Sequence, residues 1–283
     1  MNKKRKRTLA IVTPIIVACI AFGIVFTTPI IPSQKLNKAI TLIDSGDYKA
    51  AYILLDSIDY KNSKELQENI KPQYQIALIS EAEIGSYVFF GSYEQDNDTS
   101  NGKEDIEWIV LAKEGNKALV ISKYALDCKQ YHPSMSDITW ETCSLREWLN
   151  GPFLDTFRVE ERNSIIDTTV TADKNPSYST SPGNDVTDKV FLLSIPEVNK
   201  YFGSDEARKC APTDHAKVQG VWMSSSDSTG GRAACWWLRS PGSLSDHAAL
   251  VHGSGSVEID GRGVFNILGG VRPALWIDLG ADR

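Results

Sequence analysis

Five side chains have the types that a nucleophilic centre needs: Cys235 as the thiol, His215, His247 and His252 as bases, and Asp246 as an orienting carboxylate, with serines nearby. Their settings argue against that use. Cys235 stands between Ala233-Ala234 and Trp236-Trp237, an apolar context that predicts burial, and burial raises a thiol's pKa. His247 and His252 sit among glycines, alanines and serines, the usual setting of exposed loop histidines. The expectation is a protein that binds, not an enzyme; a cell-envelope enzyme with a Cys or His centre is the alternative.

Metal chemistry is weakly encoded. Asp96, Asp98 and Ser100 alternate ahead of Gly102 in an acidic stretch that runs to Asp105, the pattern in which oxygen ligands surround calcium. The glycine falls one place late, no Glu closes the loop at the twelfth position, and Ile106-Glu107-Trp108 begins a strand instead of a helix. A solvated hairpin loop is expected there. Cys128, Cys143, Cys210 and Cys235 form no CxxC pair, so neither a metal nor a cofactor is expected. Their even number allows disulfides and their contexts allow buried free thiols, and spacing alone does not choose between the two.

The elements that must position these residues follow from hydrophobic patterning. At 283 residues, 42% hydrophobic and 23% charged, the chain is globular and long enough for more than one folded unit. Its net charge of −6 includes the basic run Lys3 to Arg7, so the remainder is more acidic still, and nucleic acid is excluded as a partner. That run leads into an uncharged stretch from Thr8 to Ile31, which as a helix would reach roughly 36 Å and cross a bilayer. Retention of positive charge in the cytoplasm puts the body outside. A cleaved signal peptide and a lipoprotein signal at Ile16-Val17-Ala18-Cys19 are the rivals; the apolar run outlasts both.

From Leu36 to Ile79 the spacing is helical, broken at Gly46, and Gly46-Asp47-Tyr48-Lys49-Ala50-Ala51 resembles a tetratricopeptide turn. Beyond Ile84 the pattern changes. Tyr87 to Tyr93 reads as a strand and turn, and Ile106 to Ala112 with Ala118 to Lys123 reads as a hairpin about Glu114-Gly115-Asn116. Ser144 with Glu147, and Ser194 with Glu197, read as capping boxes, the first helix stopping at Gly151-Pro152. Further strands are expected near Ala248 to Val251, Ser256 to Ile259 and Val271 to Asp278.

Five segments carry a family resemblance: Ile106-Glu107-Trp108, Ile121 to Cys128, Thr139-Trp140-Glu141-Thr142-Cys143, Trp236-Trp237-Leu238-Arg239-Ser240-Pro241-Gly242 and Val271-Arg272-Pro273-Ala274-Leu275. With them the region from Ile84 onward resembles a bacterial family of uncharacterised extracellular domains. That family looks like the C-type-lectin fold shared by formylglycine-generating enzymes and by the variable proteins of diversity-generating retroelements. The resemblance implies a rigid frame, Trp236 to Arg239 and Val271 to Trp276, enclosing a tolerant ligand-binding face. Its display positions would be Ser243, Leu244, Ser245, Asp246, His247, Leu250, His252, Ile259, Asp260, Arg262, Phe265, Asn266, Ile267 and Leu268. Each is a residue type that a codon ending in C can encode; Glu258, among them, is not. Exposed Leu, Ile and Phe suit such a face. No lectin calcium motif and no paired-cysteine oxidase centre is present.

The expected protein is thus α+β in three parts: a basic tip and transmembrane anchor (1–32), a tetratricopeptide-like helical stalk (33–82), and a C-type-lectin-like head (83–283) with small antiparallel sheets and two or three helices. It would be a single-pass membrane protein whose extracellular head binds an unknown protein or glycan.

Overall fold

The computed structural model describes residues 31–224, 232–267 and 269–280. The membrane helix expected from Thr8 to Ile31 lies outside the described residues except at its last position. Among those described, no helix is long and apolar enough to cross a membrane.

Three helices come first: α1 (Pro32–Asp44), α2 (Tyr48–Asp56) and α3 (Ser63–Glu81). Gly46 turns the chain between α1 and α2 at φ +80, where a side chain would be strained. Asp47 then caps α2, its carboxylate accepting the Ala50 amide at 3.0 Å. Leu36, Ala39, Ala51, Leu55, Ile58 and Ile70 form a small core of their own. The unit also leans on the head. Ile79 of α3 enters the main core, Lys71 pairs with Asp105 at 2.7 Å, and Glu68 pairs with Arg158 at 2.8 Å.

The head begins with β1 (Tyr87–Tyr93), β2 (Glu104–Glu114), β3 (Lys117–Ser122) and β4 (Asp127–Cys128). Then come α4 (Ser144–Trp148), α5 (Val159–Ser164), β5 (Thr168–Val170), β6 (Val186–Asp188), β7 (Val190–Phe191), α6 (Ile195–Tyr201), α7 (Asp205–Arg208) and α8 (Asp214–Val218). The final third carries β8 (Trp236–Pro241), β9 (His247–Val251), β10 (Val257–Gly263), β11 (Gly270–Val271) and β12 (Ala274–Asp278). The class is α+β with small, mainly antiparallel sheets, but among the described residues the head holds five short helices instead of two or three. One sheet has the order β1-β2-β3-β12-β7, the other β10-β9-β8-β11-β4, and β5 and β6 form a separate ribbon. The β2–β3 hairpin turns at Gly115 (φ +58) and Asn116, where the sequence places it.

Four local expectations are corrected. The whole of Tyr87 to Tyr93 is strand, with no turn: Gly91, at φ +66, forms a bulge within it, where the pairing with β2 shifts register, and a Cβ there would lie 2.3 Å from the Phe157 ring. The cap of α4 is Cys143, whose sulfur accepts the Arg146 amide at 3.4 Å, while the Ser144 hydroxyl donates to the Tyr131 carbonyl. A tight turn at Trp140–Thr142 leaves Cys143 extended, so the helix starts one residue early. Gly151 and Pro152 do not stop the chain's winding, which continues through a wide turn at Leu149–Phe153. There the Asn150 side chain takes the Arg146 and Val190 carbonyls. Finally, Val271 to Asp278 is two strands in two sheets. Pro273 has no amide to continue a ladder, and the buried Arg272 turns inward between them.

Arg272 stitches the sheets together. Its Nε donates to the Ser122 carbonyl on β3 at 2.9 Å and its Nη1 to the Arg208 carbonyl at 3.3 Å. The guanidinium lies 4.9 Å from the Trp236 ring and 5.2 Å from the Phe202 ring. Arg239 is the second anchor, bonding to the Leu192 and Thr171 carbonyls and pairing with Asp173 and Glu197. Glu197 also completes the Ser194 capping box that the sequence predicts.

Candidate ligand-binding cleft

The register around β8 decides which side chains share a face. Trp237 pairs with Leu250 on β9, and Leu250 pairs with Glu258 on β10. Partners across antiparallel strands point the same way, so these three form a row. Two places along, the alternation of the strands brings Cys235 and His252 to the same face. Trp222 is fastened alongside, its carbonyl accepting the Cys235 amide at 3.0 Å.

Over this face lies a cleft of about 340 Å³, within the range of small-ligand sites. Its inner end is apolar, formed by the buried side chains of Cys235, Trp237 and Leu250. Trp237 is fixed there by its indole N–H, which donates to the Lys129 carbonyl at 2.9 Å. Gly269 completes the floor, and only glycine fits: a Cβ would stand 1.9 Å from Trp237 Nε1. Nearer the mouth, Trp222 is 37% exposed and its ring centroid lies 4.9 Å from that of His252. Glu258, Arg262 and Asn266 supply the polar lining, with Arg262 Nε 3.1 Å from Glu258 Oε2.

Burial pushes the Cys235 thiol up to about 11, which keeps it protonated at neutral pH. The pieces of a triad fall on different histidines: Asp246 contacts His247 Nδ1 at 2.6 Å, whereas Ser254 Oγ contacts His252 Nδ1 at 2.9 Å. His215 lies apart, with Nε2 3.9 Å from Asp127, a buried carboxylate that also accepts the Tyr93 hydroxyl at 2.6 Å. All four cysteines of the head are buried free thiols.

Of the residues expected at the binding face, Leu250, His252, Arg262 and Asn266 line the cleft. Leu250 does so from a buried position, so it is floor and not display. Leu244, Phe265 and Ile267 are exposed, at 57%, 37% and 57%, but none lines the cleft. Leu244 sits with Ser243, Ser245 and Asp246 in the β8–β9 connection, where the Ser245 hydroxyl bonds to Asp137. His247 opens β9, and Ile259 and Asp260 lie on β10, Asp260 accepting the Tyr178 hydroxyl. Leu268 lies outside the described residues. The residues that sequence reasoning missed are Trp222, Glu258, Trp237 and Gly269, together with Cys235, weighed only as a nucleophile. The pairing of Trp237, Leu250 and Glu258 runs through register shifts in both hairpins, and no local pattern in the sequence encodes it.

A second group of polar side chains lies elsewhere. Glu94, Asp96 and Glu104 bring carboxylate oxygens within 4.8 Å of one another. Asp98 and Ser100, which alternate with Asp96 in the sequence, are not among them. Asp98 instead accepts from the Ser100 amide and hydroxyl, and Asp96 accepts from the Asp98 amide and the Asn101 side chain. These oxygens serve the loop's own turn.

Compared with known proteins, residues 115–279 match a family described as a domain of unknown function (DUF6273). No curated protein and no solved structure matches the chain.

Proposed function

The chain belongs to the DUF6273 family of domains, whose match spans more than half its length, and on that premise we propose that it is a membrane-anchored extracellular protein that binds a ligand in the cleft between Trp222 and β10. The observation that carries this reading is the cleft's composition. A buried apolar floor and a half-exposed tryptophan face a polar lining, the mix of shape and orienting groups by which proteins hold small ligands. The anchor rests on the basic run and apolar stretch before Ile31, and the C-type-lectin-like architecture on the motifs of β8, β11 and β12. On that reading the exposed Leu244, Phe265 and Ile267, which lie outside the cleft, are among the positions a retroelement would diversify. The enzyme reading is the weaker one, because the thiol that lines the cleft is held protonated.

The test is a fragment set screened by ligand-observed NMR against the full chain in a polyoxyethylene detergent. Trp222→Ala, which removes the mouth's aromatic wall, and Asn266→Trp, which fills the opening, should each abolish a common group of hits. Hits indifferent to both substitutions, or turnover of a hit by the wild type, would refute the reading.

A further inference from the structure

The cleft's electrostatics and shape narrow its ligand. Glu258 and Arg262 oppose one another at 3.1 Å, so each is already compensated by the other and the lining offers a strong acceptor and a strong donor with no net charge between them. A ligand carrying a charge would have to draw one partner off and leave the second uncompensated in a half-enclosed site. The Glu258 side chain is 25% exposed and that of Arg262 60%, so the loss falls mainly where an anion draws Arg262 away from Glu258, while a cation drawn to Glu258 meets the positive Arg262 beside it. An uncharged ligand can use both groups as they stand. It also meets Asn266, whose amide donates and accepts.

The aromatic side imposes a second condition. Trp222 presents its ring at the mouth with His252 beside it, while Trp237 and Leu250 close the base. A wholly polar molecule would desolvate against this surface without return, and a wholly apolar one would strip water from Glu258, Arg262 and Asn266. The ligand must therefore have an apolar face and an edge rich in groups that both donate and accept. Adjacent hydroxyls on a ring with exposed C–H bonds meet both conditions. About 340 Å³ admits one or two such rings.

We infer that the cleft takes a neutral saccharide, its C–H face stacked on Trp222 and its hydroxyls bonded to the Glu258–Arg262 pair and Asn266, with no metal ion involved. The inference rests on the binding reading above and specifies its ligand class. Phosphorylated or carboxylated sugars are disfavoured by the same pairing that suits neutral ones.

The experiment titrates the full chain, in polyoxyethylene detergent free of sugar headgroups and with excess EDTA, against cellotetraose, chitotetraose and maltotetraose. Calorimetry reads the affinity, and the change in tryptophan emission on titration, taken as the difference between the wild type and Trp222→Phe, reports on Trp222 among the seven tryptophans. At least one neutral oligosaccharide should saturate the site. Trp222→Ala should weaken it tenfold or more, Trp222→Phe much less, and Asn266→Leu several-fold. An oligogalacturonate of the same length should bind at least tenfold more weakly. Circular dichroism of each variant separates lost binding from lost folding. If no neutral oligosaccharide saturates the site while NMR fragments still do so in a Trp222-dependent way, the saccharide inference falls and the binding reading stands. If EDTA abolishes saccharide binding, or Trp222→Ala leaves it unchanged, the inference is equally overturned.

Discussion

Replacing Arg272 by methionine is the perturbation that most directly tests how the head is held together. The guanidinium is 1% exposed and joins three elements: it donates to the Ser122 carbonyl of β3, donates to the Arg208 carbonyl at the end of α7, and lies against Trp236 of β8. Methionine fills much of the volume but donates nothing, so two carbonyls lose charged donors, a loss of roughly 1–3 kcal/mol each. The ring contacts add about 0.5–2 kcal/mol. Against this stands relief from burying a cation; burial alone is the leading cause that pulls the Arg272 pKa below its ordinary value. The balance is a destabilisation of about 2–4 kcal/mol, and for a chain of this size each kcal/mol moves Tm by about 2–4 °C. Urea unfolding followed by tryptophan emission measures it, with Trp236 as a reporter in the interface. Arg272→Lys should recover little, because an ammonium lacks the planar fork that reaches two carbonyls and stacks on a ring. A Met variant within about 0.5 kcal/mol of wild type, near the scatter expected of inert surface changes, would refute the reasoning.

Three further outcomes are expected. Gly269→Ala should cost about 2 kcal/mol or more and release the Trp237 indole from the Lys129 carbonyl, because a Cβ would stand 1.9 Å from Trp237 Nε1; thermal unfolding and near-ultraviolet dichroism check both effects. Burial pushes the Cys143 thiol from 9.0 up to about 12, so above pH 9 the unfolded chain releases a proton that the folded chain keeps. Stability should be unaffected by this thiol below pH 9 and fall by about 1.4 kcal/mol per pH unit from there to about pH 12. Cys143→Ala should flatten that part of the urea midpoint against pH. The Cys235 thiol, at about 11, should accordingly react with iodoacetamide at pH 7.5 about a hundredfold more slowly than in the urea-unfolded chain, as mass spectrometry can follow.

How much of this was legible depended on how local the cause is. Gly46, Gly115-Asn116 and the Ser194–Glu197 box act within a few residues, and each appears where the sequence places it. The burial of Cys235 was legible too, because its neighbours on both sides are apolar. What failed depended on distant partners. Ser144 looks like a cap, but the turn before it hands the role to Cys143. Val271 to Asp278 looks like one strand, and only the inward turn of Arg272 divides it. In the cleft, Leu250 reads as a displayed apolar residue until Trp237 and Glu258 are set beside it. Trp222 stands alone between Val221 and Met223, and no periodicity points from it to Cys235.

The position of β12 bears on how the molecule is made. It lies between β3 and β7 in the first sheet, so strands written some 150 and 80 positions earlier stay separated until it inserts. Domains ordinarily fold from the amino end as they emerge from the ribosome, but here the earlier strands must wait with their ladder edges open. A nascent chain stalled before residue 274 holds every strand of the second sheet but lacks the strand that completes the first. In such a chain β3 and β7 each keep one edge unpaired until β12 is made.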